Sequence, residues 1–156
     1  MQNFDKSFDP LTSIVSIYFI QMDRYKGPIN ALKNKPIQHI SMTCFDDSLE
    51  PQRHAPIEYM YMNNFTKSLD PLNTKYLEYL SMNSYSGSLE QLRNAPLKML
   101  SMDNFGNGSV EPLINCPLES LSLYLFDGDF TPLEQKYIQI VFVNFRVIKK
   151  SKFKPN

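Results

Sequence analysis

The sequence LEYLSMNSYSGSLEQLRNAPLKMLSM, residues 77–102, contains one full unit of a repeat and the start of the next. Its opening L-E-Y-L-S-M returns twenty residues later as L-K-M-L-S-M. The same interval separates five methionines along the chain: Met22, Met42, Met62, Met82 and Met102. A fixed period of this length is typical of solenoids, in which each unit forms one coil and only stacked coils bury a core.

Alignment on this period gives a single repeat domain over 1–156, with a partial unit at 1–16 and a cap strand with a basic tail at 138–156. The six units between them, 17–137, are 17–36, 37–56, 57–76, 77–96, 97–117 and 118–137. The fifth unit has one additional residue near Gly106, in a turn-rich stretch where an insertion costs little. With positions numbered 1 to 20 in each unit, Phe4 to Leu11 match positions 9 to 16. The chain thus begins within a repeat, which predicts either a longer solenoid or an edge that a partner covers.

Each unit predicts one short strand followed by a single helical turn. Apolar positions 4 and 6 flank a mostly polar position 5, which is the alternation of a strand with one buried face. Position 9 is aromatic in all six units, and position 13 is always apolar. Positions 12 to 15 read mostly Ser-Leu-Glu-Pro, in which the serine suits a helix cap and the proline a first turn. The predicted fold is α/β: a solenoid with one parallel sheet and little regular helix.

This pattern resembles the leucine-rich-repeat superfamily, because residues 77–82 and 97–102 fit its L-x-x-L-x-L core. It is also similar to the short FNIP-type repeats of amoebae and their large viruses, which share an aromatic residue after the strand. Two features differ: the Phe-Asn-Ile-Pro motif is absent, and Phe or Tyr replaces the usual asparagine of position 9. The family's asparagine ladder is therefore lost or moved to Asn63, Asn64, Asn83 and Asn104. A three-sided parallel β-helix is the alternative fold, although it would need more strand and fewer prolines.

Composition and charge exclude several classes of partner. Sixteen basic and sixteen acidic side chains cancel, whereas a general nucleic-acid binder would carry a basic excess. No apolar run reaches the length of a membrane span, and the first residues lack the layout of a signal peptide. The lysine-rich tail, 149–154, is typical of a disordered solubilising segment, with contact to phosphates or a membrane surface as the alternative. We expect neither a nucleic-acid nor a membrane partner.

The two cysteines bear on the compartment. Cys44 and Cys116 lie more than three coils apart in the repeat, so roughly 15 Å would separate them. That distance is beyond the reach of a disulfide, and two unpaired thiols favour a reducing environment. The expected location is intracellular (cytoplasmic) or within a virus particle.

No residue pattern indicates catalysis, a cofactor or a metal. The methionine column offers soft ligands for copper(I), but its alternation with position 5 favours core packing. Acidic position 14 offers oxygen ligands for calcium. Position 14 comprises Glu50, Asp70, Glu90 and Glu111. Arg53 and Arg93 follow Glu50 and Glu90 by three positions, however, which favours local ion pairs on a solvated surface. The chain is predicted not to be an enzyme.

One outward-facing column departs from the polar residues expected there. Position 3 points away from the core, on the face that is concave in a leucine-rich-repeat solenoid, and it is largely aromatic. Tyrosine is enriched where proteins meet, so a contiguous aromatic stripe is a candidate contact site. The alternative is that these side chains only stabilise the sheet through cross-strand contacts. The candidate partner-binding residues, with one neighbour from position 5, are Phe19, His39, Tyr59, Tyr61, Tyr79 and Met99.

Two functions follow from this pattern. The first is a non-catalytic protein–protein interaction module that presents the concave sheet face to a protein partner. The alternative is a structural building block of a larger assembly, such as a virus particle, with end-to-end contacts at the N-terminal edge.

Overall fold

The computed structural model describes residues 9–106, 108–143 and 146–149, which form one sheet in a solenoid. Neighbouring strands follow the order of the chain. The first seven strands are parallel, and the eighth is antiparallel to the seventh. The strands are β1 (Phe19–Asp23), β2 (His39–Thr43), β3 (Tyr59–Asn63), β4 (Tyr79–Asn83), β5 (Met99–Gly106), β6 (Ser120–Phe126), β7 (Ile140–Val143) and β8 (Arg146–Lys149). The predicted fold is confirmed, whereas a parallel β-helix would place further sheets in each coil.

The register of the sheet repeats the twenty-residue period. Met62 pairs with Met82 across β3 and β4, and both side chains are fully buried. The aromatic rings of position 9 form a second stacked column. The ring centroids of Phe45 and Phe65 lie 6.3 Å apart with an angle of 6° between the ring planes, and those of Phe65 and Tyr85 are also 6.3 Å apart. The interpretation of both columns as core is confirmed. Stacking identical positions joins the small apolar set of each coil into one continuous core.

Each coil returns to the sheet through a short 3₁₀ turn, and no α-helix occurs in the described ranges. None of those residues forms a helix with the length and apolar character needed to cross a membrane. The turns comprise Asp9–Ser13, Asn30–Leu32, Glu50–Gln52, Thr74–Tyr76, Glu90–Leu92, Glu111–Asn115 and Thr131–Leu133.

The position 12 serines stabilise the entry to these turns. The Ser48 hydroxyl accepts a hydrogen bond from the Glu50 amide at 3.0 Å, and Ser88 does the same for Glu90 at 3.1 Å. The bonded serine lies one residue before the N-cap residue, and the N-cap side chain itself makes no cap bond. A hydroxyl at this place satisfies an amide that the turn leaves unpaired.

Ion pairs on the turns engage three of the four carboxylates of the acidic column, as expected. Arg53 contacts Glu50 at 2.6 Å, and Arg93 contacts Glu90 at 2.9 Å. Arg93 also contacts Glu111 in the next coil. The hydrogen bonds to Arg93 and Arg53 lower the pKa values of Glu111 and Glu50. Exposed pairs of this kind contribute little stability, but they offset part of the negative charge of this column.

The third coil has an additional turn. It keeps the hydrogen bond of the usual turn, from the Leu72 amide to the Leu69 carbonyl at 2.8 Å, and a 3₁₀ turn, Thr74–Tyr76, follows four residues after the place of the turns in the second and fourth coils. This coil has Tyr76 where the second and fourth have proline before the next strand. The Asn73 side chain accepts a hydrogen bond from the Lys75 amide at 3.2 Å, which caps the additional turn. Proline would bias its preceding residue away from helical angles, so its absence permits this turn.

A residue with a left-handed backbone occupies position 8 in every unit, directly after β1 to β4 and within the last three residues of β5 and β6. The φ angles lie between 53° and 58° for Arg24, Cys44, Asn64, Ser84, Asn104 and Leu125. Side chains in this column make only isolated contacts, such as Asn64 Nδ2 to Cys44 Sγ at 3.7 Å. A continuous asparagine ladder is therefore absent along this described column. The repeated conformation bends the chain away from the sheet in each coil.

The C-terminal segment forms two strands rather than the single cap strand predicted from the sequence. β7 continues the parallel sheet, and β8 returns antiparallel along its outer edge. No Ser-Leu-Glu-Pro segment follows β7, so the sequence lacks the turn that would start another coil. Antiparallel strands need only a short connection, and β8 pairs with the edge that β7 would otherwise leave open. The basic tail beyond Lys149 lies outside the described residues.

Candidate functional site

The predicted aromatic residues form one stripe across the outer face of the sheet, which is the face turned away from the core. Strand register places each residue of the stripe beside the next. The aromatic stripe consists of Phe19, His39, Tyr59, Tyr79 and Met99. The structure thus brings together five of the six candidates in one column. Tyr61 lies two residues after Tyr59 in β3, on the same face of the sheet.

Ring contacts connect the first four residues of the stripe. The His39 and Tyr59 rings stack with centroids 4.5 Å apart and an angle of 18°. The outer pairs are looser: Phe19 lies 6.2 Å from His39, and Tyr79 lies 6.2 Å from Tyr59. Phe19 remains 61% exposed and Tyr59 42% exposed, whereas His39 and Tyr79 are half-buried. Contact between neighbours thus orders the rings without removing the stripe from solvent.

Tyr61 forms the second wall of a shallow groove beside the stripe. Its neighbours in register are the small residues Ser41 and Ser81, so the phenol ring rises above them. The Asn63 side chain donates a hydrogen bond from Nδ2 to the Tyr61 hydroxyl at 2.8 Å and orients it. The groove between Tyr61 and the stripe has a volume of about 170 Å³. A groove of this size accommodates one side chain rather than a whole small molecule.

A second hollow on the outer face was missed by sequence reasoning. It has a volume of about 450 Å³, and its lining includes Asp103 of β5, Tyr124 of β6 and Phe142 of β7. Phe142 is 42% exposed. Tyr124 could have been recognised from the sequence as unusual, because it is aromatic at position 7, where the other five units have Asp, Thr or Asn. Phe142 was not, because it lies beyond the sixth unit, where alignment on the repeat stops.

Charged residues border the stripe at position 2, one residue before the aromatic column. The Lys98 ammonium donates a hydrogen bond to Glu78 at 2.8 Å, and this bond raises the pKa of Lys98. Glu58 and Glu119 occupy the same column, and neither makes an ion pair within the described part of the chain. The edge of the stripe therefore carries the Glu58 carboxylate without an ion pair, whereas the charge of Glu119 contributes to the raised pKa of Lys98.

Nothing in the described ranges assembles three or more metal-ligating His, Cys, Asp or Glu residues. His39 stacks in the stripe, and His54 lies in a separate hollow of about 330 Å³ on the turn side. Charges of both signs line that hollow, including the paired Glu50 and Arg53. The arrangement of the outer face suits contact through aromatic and polar groups.

Fold and site together define the class: a repeat solenoid with an aromatic stripe on the open face of its sheet. No protein-family profile, no characterised protein and no solved structure matches the chain. Function is therefore argued from the geometry of the outer face.

Proposed function

We propose that this chain is a non-catalytic interaction module that binds a protein partner on the outer face of its sheet. The observation that carries the proposal is the stack from Phe19 to Tyr79, which is ordered by ring contacts and still partly exposed. Aromatic side chains contribute large contact areas at low entropic cost, and tyrosine is enriched among residues that dominate binding energy.

The competing explanation is that the stripe only stabilises the sheet. Cross-strand aromatic pairs contribute roughly 0.2–1 kcal/mol each. Two of the three ring pairs have centroids 6.2 Å apart, and only His39 and Tyr59 stack closely. Packing explains that one pair better than it explains the exposed Phe19 and Met99. The exposed residues of the stripe are thus better suited to contact a partner than to stabilise the sheet.

A double substitution tests this proposal. Tyr59→Ser with Tyr79→Ser removes two phenol rings from the stripe and leaves the core unchanged. The free energy of unfolding in urea should fall by no more than about 2 kcal/mol, because only two cross-strand ring pairs are lost. Affinity for a protein cross-linked to the wild-type chain and then purified should weaken by about 2 kcal/mol or more.

The matched control replaces two exposed tyrosines that lie off the sheet. Tyr76 and Tyr137 are 43% and 57% exposed and precede strands rather than occupying them. Tyr76→Ser with Tyr137→Ser should leave partner binding unchanged. Equal loss of binding in both double variants, or a large loss of stability in the stripe variant alone, would remove the basis of the proposal.

A role as a structural building block is the second candidate, and one observation favours it. Apolar side chains are exposed beside β1, including Val15 at 85% and Tyr18 at 54%. β1 pairs only with β2 among the described strands. We propose end-to-end contact there as the alternative mode of association. Light scattering on Val15→Ser with Tyr18→Ser tests it, because an assembly through this edge should then dissociate.

A relationship to leucine-rich repeats remains part of the proposal. Its support is the L-x-x-L-x-L spacing together with one parallel strand and one short turn per coil. The proposed site of action is inside a cell or a virus particle. Its support is that both cysteines are free, with Cys116 buried.

A further inference from the structure

We propose that the outer face recognises an extended basic segment of its partner, through arginine side chains that stack on the aromatic stripe and pair with its bordering carboxylates. This inference rests on the proposed function, and it specifies the chemistry of the partner.

The charge of the outer face supports this assignment. Five carboxylates occupy positions 2 and 7, which flank the aromatic column, whereas Lys98 is the one lysine or arginine at positions 2, 3, 5 and 7 of the six units. These residues carry a net charge of −4 with histidine neutral, although the whole chain is neutral. Charge of one sign on a binding face selects partners of the opposite sign and accelerates their association. The five carboxylates belong to Asp23, Glu58, Glu78, Asp103 and Glu119.

The carboxylates differ in how far they are already satisfied. Glu78 pairs with Lys98, and Asp23 accepts a hydrogen bond from the Thr43 hydroxyl at 3.2 Å. Glu58, Asp103 and Glu119 have no ion pair within the described residues, although the charge of Glu119 acts on Lys98. Glu58 and Glu119 are therefore the two carboxylates of position 2 that are available to a basic partner.

Adjacency of carboxylate and ring favours arginine over lysine. Glu58 directly precedes Tyr59, whose ring is 42% exposed although His39 covers one of its faces, so a guanidinium group that pairs with the carboxylate would lie beside the exposed part of the phenol ring. Arginine combines bidentate pairing with stacking, whereas lysine offers a strongly hydrated point charge. The second hollow repeats this chemistry, because Asp103 lines it together with Tyr124 and Phe142.

The spacing of the two available carboxylates indicates the form of the segment. Glu58 and Glu119 occupy the same position in coils three steps apart, which corresponds to about 14 Å along the sheet. An extended chain covers that distance in about four residues. Two arginines four residues apart, on a strand that crosses the sheet, would reach both carboxylates.

The experiment uses a synthetic probe with a neutral isostere as its control. A fluorescein-labelled glycine–serine peptide carries two arginines four residues apart, and its analogue carries citrulline at both places. Fluorescence anisotropy at 50 mM NaCl should give at least tenfold weaker binding of the citrulline peptide. Binding of the arginine peptide should weaken on going to 500 mM NaCl, because salt screens exposed charges.

Variants of the chain locate the contact. Glu58→Gln with Glu119→Gln should weaken binding of the arginine peptide at least fivefold. Asp46→Asn with Asp70→Asn removes the same charge from exposed positions off the sheet and should change it less than twofold. Equal effects of the two double variants, or failure of the arginine peptide to bind at 1 mM, would overturn the inference.

A further comparison separates this inference from the proposed function. If both peptides bind equally and both lose affinity in Tyr59→Ser with Tyr79→Ser, the stripe is a binding face that does not select cations. That result overturns the basic-segment inference and leaves the proposed function intact. If purified partner binding survives the tyrosine substitutions, the proposed function itself fails.

Discussion

Gln52 donates a hydrogen bond from Nε2 to the carbonyl oxygen of Leu32 in the preceding coil, at 3.3 Å and fully buried. Position 16 is leucine in the other five units, so this amide stands in an apolar column. Its Oε1 atom is buried and has no hydrogen-bond partner. The Leu32 carbonyl also accepts from the Lys35 amide at 3.1 Å, so it does not depend on Gln52.

Gln52→Leu should therefore stabilise the solenoid. The substitution removes an unsatisfied buried oxygen and fills the column with the residue found elsewhere, which should raise the free energy of unfolding by about 1–2 kcal/mol. Urea denaturation measures this change, and the reverse substitution in the fourth coil, Leu92→Gln, should lower stability by at least as much. A less stable Gln52→Leu protein would show that the amide is satisfied in solution.

Gly87→Ala should destabilise the fourth coil. An added Cβ at Gly87 would lie 2.4 Å from the Tyr85 hydroxyl oxygen, and that hydroxyl donates to the Ser88 carbonyl at 3.1 Å. Because Tyr85 is buried and cannot move freely, the expected loss is about 1–3 kcal/mol of unfolding free energy. The control is Lys67→Ala, because Lys67 occupies the same repeat position as Gly87 and lies beside Phe65, which has no hydroxyl. This substitution should change stability by less than about 0.5 kcal/mol. Similar losses in both variants would contradict this explanation.

Leu125→Asn should stabilise the sixth coil. Leu125 has a φ of 53° and is exposed, so its side chain contributes little packing to offset an unfavourable backbone. Asparagine tolerates this conformation, as it does at Asn64 and Asn104. The expected gain is about 0.5–1 kcal/mol, measured as a higher urea midpoint with an unchanged slope. Asn64→Leu is the reciprocal control, and a gain there would argue against backbone strain as the cause.

The two cysteines should differ in reactivity. Burial raises the pKa of the Cys116 thiol, and its Sγ contacts the Leu92 carbonyl at 3.1 Å. Cys44 lies in a half-exposed position after β2. At pH 8 iodoacetamide should therefore modify Cys44 in the native protein and reach Cys116 only after unfolding, which peptide mass spectrometry distinguishes. Modification of Cys116 at the same rate as Cys44 would show that the fifth coil opens.

The raised pKa of Cys116 also predicts a pH dependence. The folded state holds the thiol proton more tightly than the unfolded state does. Its contribution to stability is therefore complete below the unfolded pKa and is lost as pH rises toward the folded value. Between pH 7.5 and 9.5 the wild-type chain should lose more stability than Cys116→Ala, whose folding is not linked to a thiol proton. Parallel stability curves for the two proteins would contradict this linkage.

Much of the fold was determined by the sequence alone, because every coil repeats the same chemistry. Met62 and Met82 had to be buried neighbours once the period was recognised, since one register satisfies all columns together. Arg53 and Arg93 were identifiable as partners of Glu50 and Glu90 because a three-residue spacing is local. The position of the aromatic stripe followed from the same register.

Only the tertiary structure decided the features that break the repeat or join distant coils. The additional turn at Thr74–Tyr76 depends on the absence of one proline, and the β7–β8 hairpin depends on the absence of a turn segment; an averaged pattern hides both. The hollow between Tyr124 and Phe142 joins side chains from adjacent coils, one of them beyond the last full unit. The close stacking of His39 on Tyr59 depends on the angle between rings, and side-chain packing rather than sequence spacing sets that angle.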